Sequence, residues 1–326
     1  MSTDVTTPVP ALPAPPPRAP GRRERFRLLR GRADTKVSPY LYIAPFFVLF
    51  GIFGVYPLVY TAWVSLHDWE LASDDHPWSG LDNYQQLVTD PVFWNALWNT
   101  FGMFVLSTVP QLTIALFVAS LLNRRLRGRT LFRLSVILPM ATSVAAVSIV
   151  FSQLFSRDFG VINWVLGGVG VHPVEWQAAK WSSWSAVALM VNWRWTGYNA
   201  LIFLAAMQAI PKDLYEAAAL DGAGGWRQFT KITVPMLRPT ILFTVIISTI
   251  GGFQLFTEPL LFNSGSSNYQ GGSLRQSQTV AMYVWENAFV KFDFGYASAV
   301  AWVLFLIILL ASALNFLAVR RLGGKD

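Results

Sequence analysis

Residues 216–235 read EAAALDGAGGWRQFTKITVP and lie between two long apolar stretches. Glu216-Ala217-Ala218 is followed after three residues by Gly222, after nine more by Ile232, and after one more by Val234-Pro235. Each residue type has a local consequence. Pro211 fits the first turn of a helix, where its missing N–H costs nothing. Residues 212–220 then read as a short helix, with Asp213 and Glu216 placed early enough to suit its positive end. Ala217 and Ala218 leave a smooth face that another surface can approach. After Asp221, Gly222 suits a left-handed helix stop, which turns the chain into a second helix near residues 226–232. Pro235 and Pro239 end that helix and open the next apolar stretch. The expectation is a rigid helical elbow, here bounded as residues 211–239.

The surroundings of the elbow set its environment. The 326 residues are 53% hydrophobic and 13% charged, with mean hydropathy +0.41. A bilayer core takes about 20 apolar residues per helix, and six stretches qualify: 40–66, 100–122, 132–154, 185–207, 240–262 and 297–319. The fourth is the least apolar, because it holds Asn192, Arg194 and Asn199. Lys and Arg alternate in density between them. There are eight in 1–39, five in 123–133, four in 208–239 and three in 320–326, against none, two and two in 67–94, 155–184 and 263–296. Positive charge marks the cytoplasmic side, so both termini and the elbow are expected there. An odd number of spans would scramble the alternation. The fold class that follows is an all-α membrane protein of six transmembrane helices.

Residues 1–39, rich in Pro and Arg, read as a disordered basic cytoplasmic tail, and residues 40–326 as the membrane domain. The net charge of +7 is spent on this topology, which argues against a nucleic-acid partner; membrane lipid is the surrounding solvent. The absence of cysteine excludes disulfides and thiolate metal sites. His67, His76 and His172 show no ligand spacing, so neither metal nor cofactor is expected.

Polar residues inside spans are costly and point to function. In the fourth span Trp193, Thr196, Gly197 and Ala200 fall at helical spacing on one face, offering an indole for stacking on a sugar ring, a hydroxyl and room. In the fifth, Ser248, Gly252 and Leu255 are expected to share a face, with Gln254, Thr257 and Glu258 on a neighbouring one. Glu258 is the only carboxylate in an expected span. Alternative roles stand beside these: Gly197 and Gly252 as close-packing positions, Arg194 as a partner of Glu258 or snorkelling outward, and Trp193 with Trp195 as interface anchors. Of fourteen tryptophans, only Trp226 falls on the cytoplasmic side. The outer loops are therefore built either to pack against a partner or against themselves.

The elbow spacing resembles the EAA motif of binding-protein-dependent ABC importer permeases, with Val234 where that family more often has Leu. The resemblance covers residues 40–326, including IPKDLYEAAALDGA and the run FQLFTEPLLF. It is closest to the carbohydrate-uptake group, the MalF-type subunit, and the segment WRWTGYNALIFLAAMQAIP is similar to the cellobiose and β-glucoside branch. The resemblance implies the type I ABC importer transmembrane fold and no enzymatic activity in this chain. It also implies ATPase coupling through Glu216, Ala217, Ala218, Asp221, Gly222, Ile232 and Pro235. The fourth-span positions Trp193, Thr196, Gly197 and Ala200 correspond to the permease segment that meets its sugar. Implied partners are a second permease subunit, a dimer of ABC ATPase subunits, an extracellular solute-binding protein and a sugar. The rival readings fare worse. A self-contained secondary transporter lacks a clear internal repeat and has only Glu258 for a proton relay. A membrane enzyme lacks a His-Glu metal pair and a Gly-x-Ser-x-Gly turn, and no phosphate-binding P-loop is present.

Overall fold

The computed structural model describes residues 38–124, 127–263 and 268–323. The basic tail, but for its last two residues, lies outside this range. The chain divides into two units, Met1–Tyr60 and Thr61–Asp326. The described part of the first belongs to α1, an apolar helix of residues Ser38–Val64 with a π turn at Gly51–Val55.

The second unit is helical throughout, with no strand among the described residues beyond isolated bridges such as His67 to Trp78. A short α2 (Asp82–Thr89) leads to α3 (Pro91–Leu122). The start of α3 is fixed by sequence: Pro91 occupies its first turn, and the Asp90 carboxylate accepts the Val92 N–H at 2.8 Å. Next come α4 (Arg129–Ala141), α5 (Val144–Leu154), α6 (Val161–Gly168) and α7 (Lys180–Gln208). The elbow follows as α8 (Lys212–Leu220) and α9 (Gly225–Met236), then α10 (Arg238–Phe253), α11 (Thr257–Phe262), α12 (Val280–Phe289) and α13 (Phe294–Gly323).

Three described helices, α1, α3 and α13 (to Leu317), are long and apolar enough to cross a membrane; counting each bent pair as one span gives up to five. The expected spans therefore need two corrections of shape. The stretch 132–154 is not one helix but α4 and α5, which meet at 91°. Pro139 weakens the last turn of α4 by removing an N–H, and Thr142 and Ser143 leave the helical region of backbone space. The stretch 240–262 is likewise interrupted. Here α10 stops at Phe253, and α11 begins only at Thr257.

The fourth stretch, α7, is too polar to stand among these three, yet its 29 residues extend about 43 Å. Its polarity is hidden from lipid by neighbours: Asn199, Arg194, Trp184 and Met190 are buried. Apolar clusters on either side do the covering. Met103, Trp184, Val187, Leu255 and Phe262 form one. Ala115, Ala119, Ala200, Phe203 and Leu237 form another, which joins α3, α7 and the root of the elbow.

Polar groups stitch the segment before α12 across α3. Asn99 donates to the Arg275 and Gln278 carbonyls at 2.8 and 2.9 Å, and the Arg275 guanidinium grips both oxygens of Glu286 at 2.6 and 2.8 Å. Burial pushes the Glu286 carboxyl up, but hydrogen bonds from Arg275 and Gln278 more than reverse this and leave it below its ordinary value. Asp90 behaves alike: burial raises it, and hydrogen bonds from Tyr283, Tyr296 and the Val92 and Phe93 N–H groups bring it below. Such carboxylates contribute stability at neutral pH that is lost as pH falls through their lowered folded values. The melting temperature of the detergent-purified protein should therefore fall between pH 7 and pH 3. Glu286→Gln should lower it at pH 7 and flatten the acid slope; an unchanged slope would contradict the role given to Glu286.

Candidate functional site

The elbow forms as its residues dictate. α8 ends at Asp221, and Gly222 takes φ +76°, with the Ala223 N–H donating to the Ala218 carbonyl at 2.8 Å. That left-handed position closes the helix and redirects the chain. Glu216, Ala217, Asp221 and Gly222 are exposed, while Ala218, Ile232 and Pro235 are half-buried. Leu220 and Trp226 stand out at 90% and 75% exposure, an apolar pair on a hydrophilic turn. The elbow is held to itself by the Tyr215 and Thr233 hydroxyls, 2.9 Å apart. A π turn at Phe229–Thr233 precedes a 68° bend between α9 and α10, where Pro235 and Pro239 flank Leu237.

The second feature is a cavity of about 320 Å³ inside the bundle. From α3 it is lined by Ser107, Thr108 and Gln111, and from α7 by Val191, Trp195, Tyr198 and Asn199. From α10 and the break beyond it come Ile247, Ser248, Gly251, Gly252, Gln254, Leu255 and, on α11, Glu258. The side chains of Thr108, Gln111, Asn199, Ser248 and Gln254 form no hydrogen bond with any described residue. Thr108, Gln111 and Asn199 are buried, Ser248 is half-buried and Gln254 is exposed, so the wall offers hydrogen-bond donors and acceptors that a polar occupant can engage. Trp195 and Tyr198 pack edge to face with ring centres 5.9 Å apart, giving the cavity one aromatic wall.

Glu258 is held from behind. Arg194 Nη1 donates to its Oε1 at 2.8 Å, and both residues are buried. The Arg194 guanidinium also lies 5.9 Å from the Trp195 ring. A paired, desolvated Arg and carboxylate is costly to break on one side, because the survivor is left as an unpaired buried charge.

The sugar-facing residues expected from sequence are only partly brought together here. Ser248, Gly252, Leu255, Gln254 and Glu258 line the cavity; Thr257 does not. Ser248 and Gly252 share a face of α10, but the faces assigned to them do not extend to the others, since α10 has ended before Leu255. Trp193, Thr196, Gly197 and Ala200 also lie off the cavity. Trp193 packs on Phe151 with ring centres 5.8 Å apart, Thr196 donates to the Asn192 carbonyl, and Ala200 is fully buried in the α3–α7 cluster. Gly197 is where α4 crosses α7: a Cβ there would sit 1.7 Å from the Val136 carbonyl oxygen. A Cβ on Gly252 would meet the Phe104 ring at 2.6 Å. The cavity uses the neighbouring face of α7 instead. Gln111, Thr108 and Asn199 are detectable as polar residues within apolar spans, a signal present in the second span as well as the fourth.

Residues 111–324 match the family described as the binding-protein-dependent transport system inner membrane component. The chain belongs to that family. Family membership makes it a multi-pass membrane component of a transport system, with no enzymatic role of its own. Among its curated relatives is the lactose transport system permease protein LacF of Rhizobium radiobacter, 38% identical over 289 residues, which span 87% of this chain and 94% of LacF. The arabinooligosaccharides transport system permease protein AraP of Halalkalibacterium halodurans is 36% identical over 293 residues, 89% and 90% of the two chains. A chain of a bacterial alginate ABC transporter, crystallised with an alginate pentasaccharide-bound periplasmic protein, superposes with TM-score 0.76 over 91% of this chain and 98% of its own. At 20% identity, that likeness concerns the fold.

The packing geometry separates Gly197, pressed against the α4 backbone, from Gly251, which lines the cavity with no atom close to an added Cβ. Gly197→Val should cost about 1–3 kcal/mol through overpacking against the Val136 carbonyl. Gly251→Ala, with no atom within 4 Å of the added Cβ, should leave stability within about 1 kcal/mol of the parent. Thermal unfolding in one detergent compares them, and equal melting temperatures would contradict the assigned α4–α7 contact.

Proposed function

We propose that this chain is the membrane-spanning permease subunit of an ABC importer that carries a disaccharide or short oligosaccharide inward through the cavity between α3, α7 and α10. The observation that carries this reading is the set of hydrogen-bonding side chains without partners around an aromatic wall. Sugars present hydroxyl groups at their edges and C–H faces to aromatic rings, and the cavity's size falls within the range of ligand sites, roughly 300–1,000 Å³. The named cargoes of LacF and AraP, lactose and arabinooligosaccharides, support the substrate class. Cellobiose and other β-glucosides are the first cargoes to try.

In this reading six spans cross the membrane, α4–α5 counting as one bent span and α10 with α11 as one interrupted span, and both termini face the cytoplasm. A second permease subunit completes the pathway, and an external solute-binding protein delivers the sugar. A pair of ATPase subunits docks on the exposed face of Glu216, Ala217, Asp221 and Gly222. Nucleotide must favour one of the outward- and inward-open states over the other, or no transport follows from its binding. The elbow suits this coupling because Gly222, the Tyr215–Thr233 bond and the proline-flanked bend make it stiff. Its far end runs directly into α10, which lines the cavity.

Uptake of labelled cellobiose, maltose and trehalose by cells expressing the full importer tests the reading. Glu216→Lys and Gly222→Asp should abolish uptake while the subunit still inserts and assembles. Trp195→Ala should raise KM by roughly 2- to 10-fold, as loss of about 0.5–1.5 kcal/mol of stacking implies. Unaltered uptake in both elbow variants would refute the coupling, and unaltered kinetics in Trp195→Ala would refute the sugar wall.

A further inference from the structure

Among the residues lining the cavity, Glu258 alone carries a charge. Its Oε1 is taken by Arg194, whereas Oε2 accepts no hydrogen bond from any described residue. Arg194 does not line the cavity; it approaches Glu258 from behind and lies beside Trp195. The other polar liners named above, Thr108, Gln111, Asn199, Ser248 and Gln254, are neutral. Two further cations, Arg275 and Lys180, lie off the cavity and are committed elsewhere: Arg275 holds Glu286, and Lys180 donates to Asn95 at 2.7 Å. An occupant of the cavity therefore meets a carboxylate oxygen ready to accept a hydrogen bond from a hydroxyl, and no lining cation to receive an anion.

We propose that the Arg194–Glu258 pair makes this cavity selective for uncharged sugars over acidic ones, with Glu258 Oε2 accepting a hydrogen bond from a sugar hydroxyl and Arg194 fixing the carboxylate by holding Oε1 from outside the cavity. Deep in a low-dielectric site a carboxylate-to-hydroxyl hydrogen bond is strong. A uronate carboxylate entering the same space would lose its hydration and face a like charge. The Arg194 guanidinium, which could have compensated it, is paired with Glu258 through Nη1 and does not line the cavity. This inference rests on the cavity being the sugar site.

The test is equilibrium binding of a labelled neutral disaccharide, and of the uronate made by oxidising one of its C6 hydroxymethyl groups, to the assembled importer in nanodiscs without its external binding protein. Cellobiose, lactose and trehalose serve as the neutral probes. The parent should bind a neutral sugar at least tenfold tighter than its uronate. Glu258→Gln keeps the shape but leaves Arg194 uncompensated, and should shift that ratio tenfold or more toward the uronate. The double variant Arg194→Gln with Glu258→Gln, which buries no lone charge, should fall between them, and it carries the test if the single variant fails to assemble. Parent affinities for sugar and uronate within twofold, or a ratio unmoved in these variants, would overturn the charge selectivity while leaving the cavity reading in place. If instead neutral sugar binds and Trp195→Ala leaves its affinity unchanged, the sugar sits elsewhere, and both readings fall.

Discussion

A guanidinium and a carboxylate meeting at 2.8 Å inside an apolar bundle is the interaction on which the rest of this architecture depends. Either charge alone would be prohibitive away from water, so the two must arrive together. Arg194 sits mid-way along α7 and Glu258 on the short α11, which means the pair ties the most buried helix to the piece of chain beyond the end of α10. With α11 anchored in this way, the backbone between Phe253 and Thr257 leaves the helical path. Gln254 and Leu255 then face the same space as Ser248 and Gly252. Past that interruption, Gln254, Leu255 and Glu258 complete a cavity wall whose remainder comes from α3, α7 and α10.

The same stretch of chain joins the cavity to the exposed elbow. α8 is closed by Gly222, pinned to the turn before α10 by Tyr215 and Thr233, and delivered through a 68° bend into the helix that carries Ile247 to Gly252. No loose linker intervenes. Leu237, fully buried at the bend, packs with Ala200, Phe203 and Ala119. In the proposed importer, a displacement of the elbow would act on α10 against the packed α3–α7 pair. This is how work done on a separate ATPase would reach the sugar.

Much of the elbow is legible in the amino-acid sequence by itself. A glycine after a short alanine-rich helix, and two prolines four residues apart, impose their geometry through backbone chemistry alone, whatever surrounds them. The pairing of Arg194 with Glu258 is legible only as one of two alternatives, the other being a side chain that snorkels outward, and the structure shows the pair. The faces of α7 and α10 are not legible. Helical spacing groups Trp193, Thr196, Gly197 and Ala200 correctly onto one side, but spacing carries no information about which side meets a neighbour. Gly197 serves the crossing of α4, and Trp193 the contact with Phe151. In α10 the difficulty is of another kind. A helical repeat extended past Phe253 assumes a continuity that only tertiary contacts decide. The break at Thr142 and Ser143 escapes the sequence pattern for the same reason, although Pro139 just upstream hints at it. Gln111 is the lone amide in the stretch 100–122, a weaker signal than the clustered polarity of the fourth span, and it becomes meaningful only when α3 is seen to face α7.

Access to the cavity tests the central claim most directly. The chain has no cysteine, so Ser248→Cys puts this subunit's single thiol on the cavity wall of the assembled importer. The account predicts that cargo sugar slows its reaction with a hydrophilic maleimide, and that ATP shifts its accessibility from one face of the membrane to the other. Labelling that responds to neither sugar nor nucleotide would contradict it.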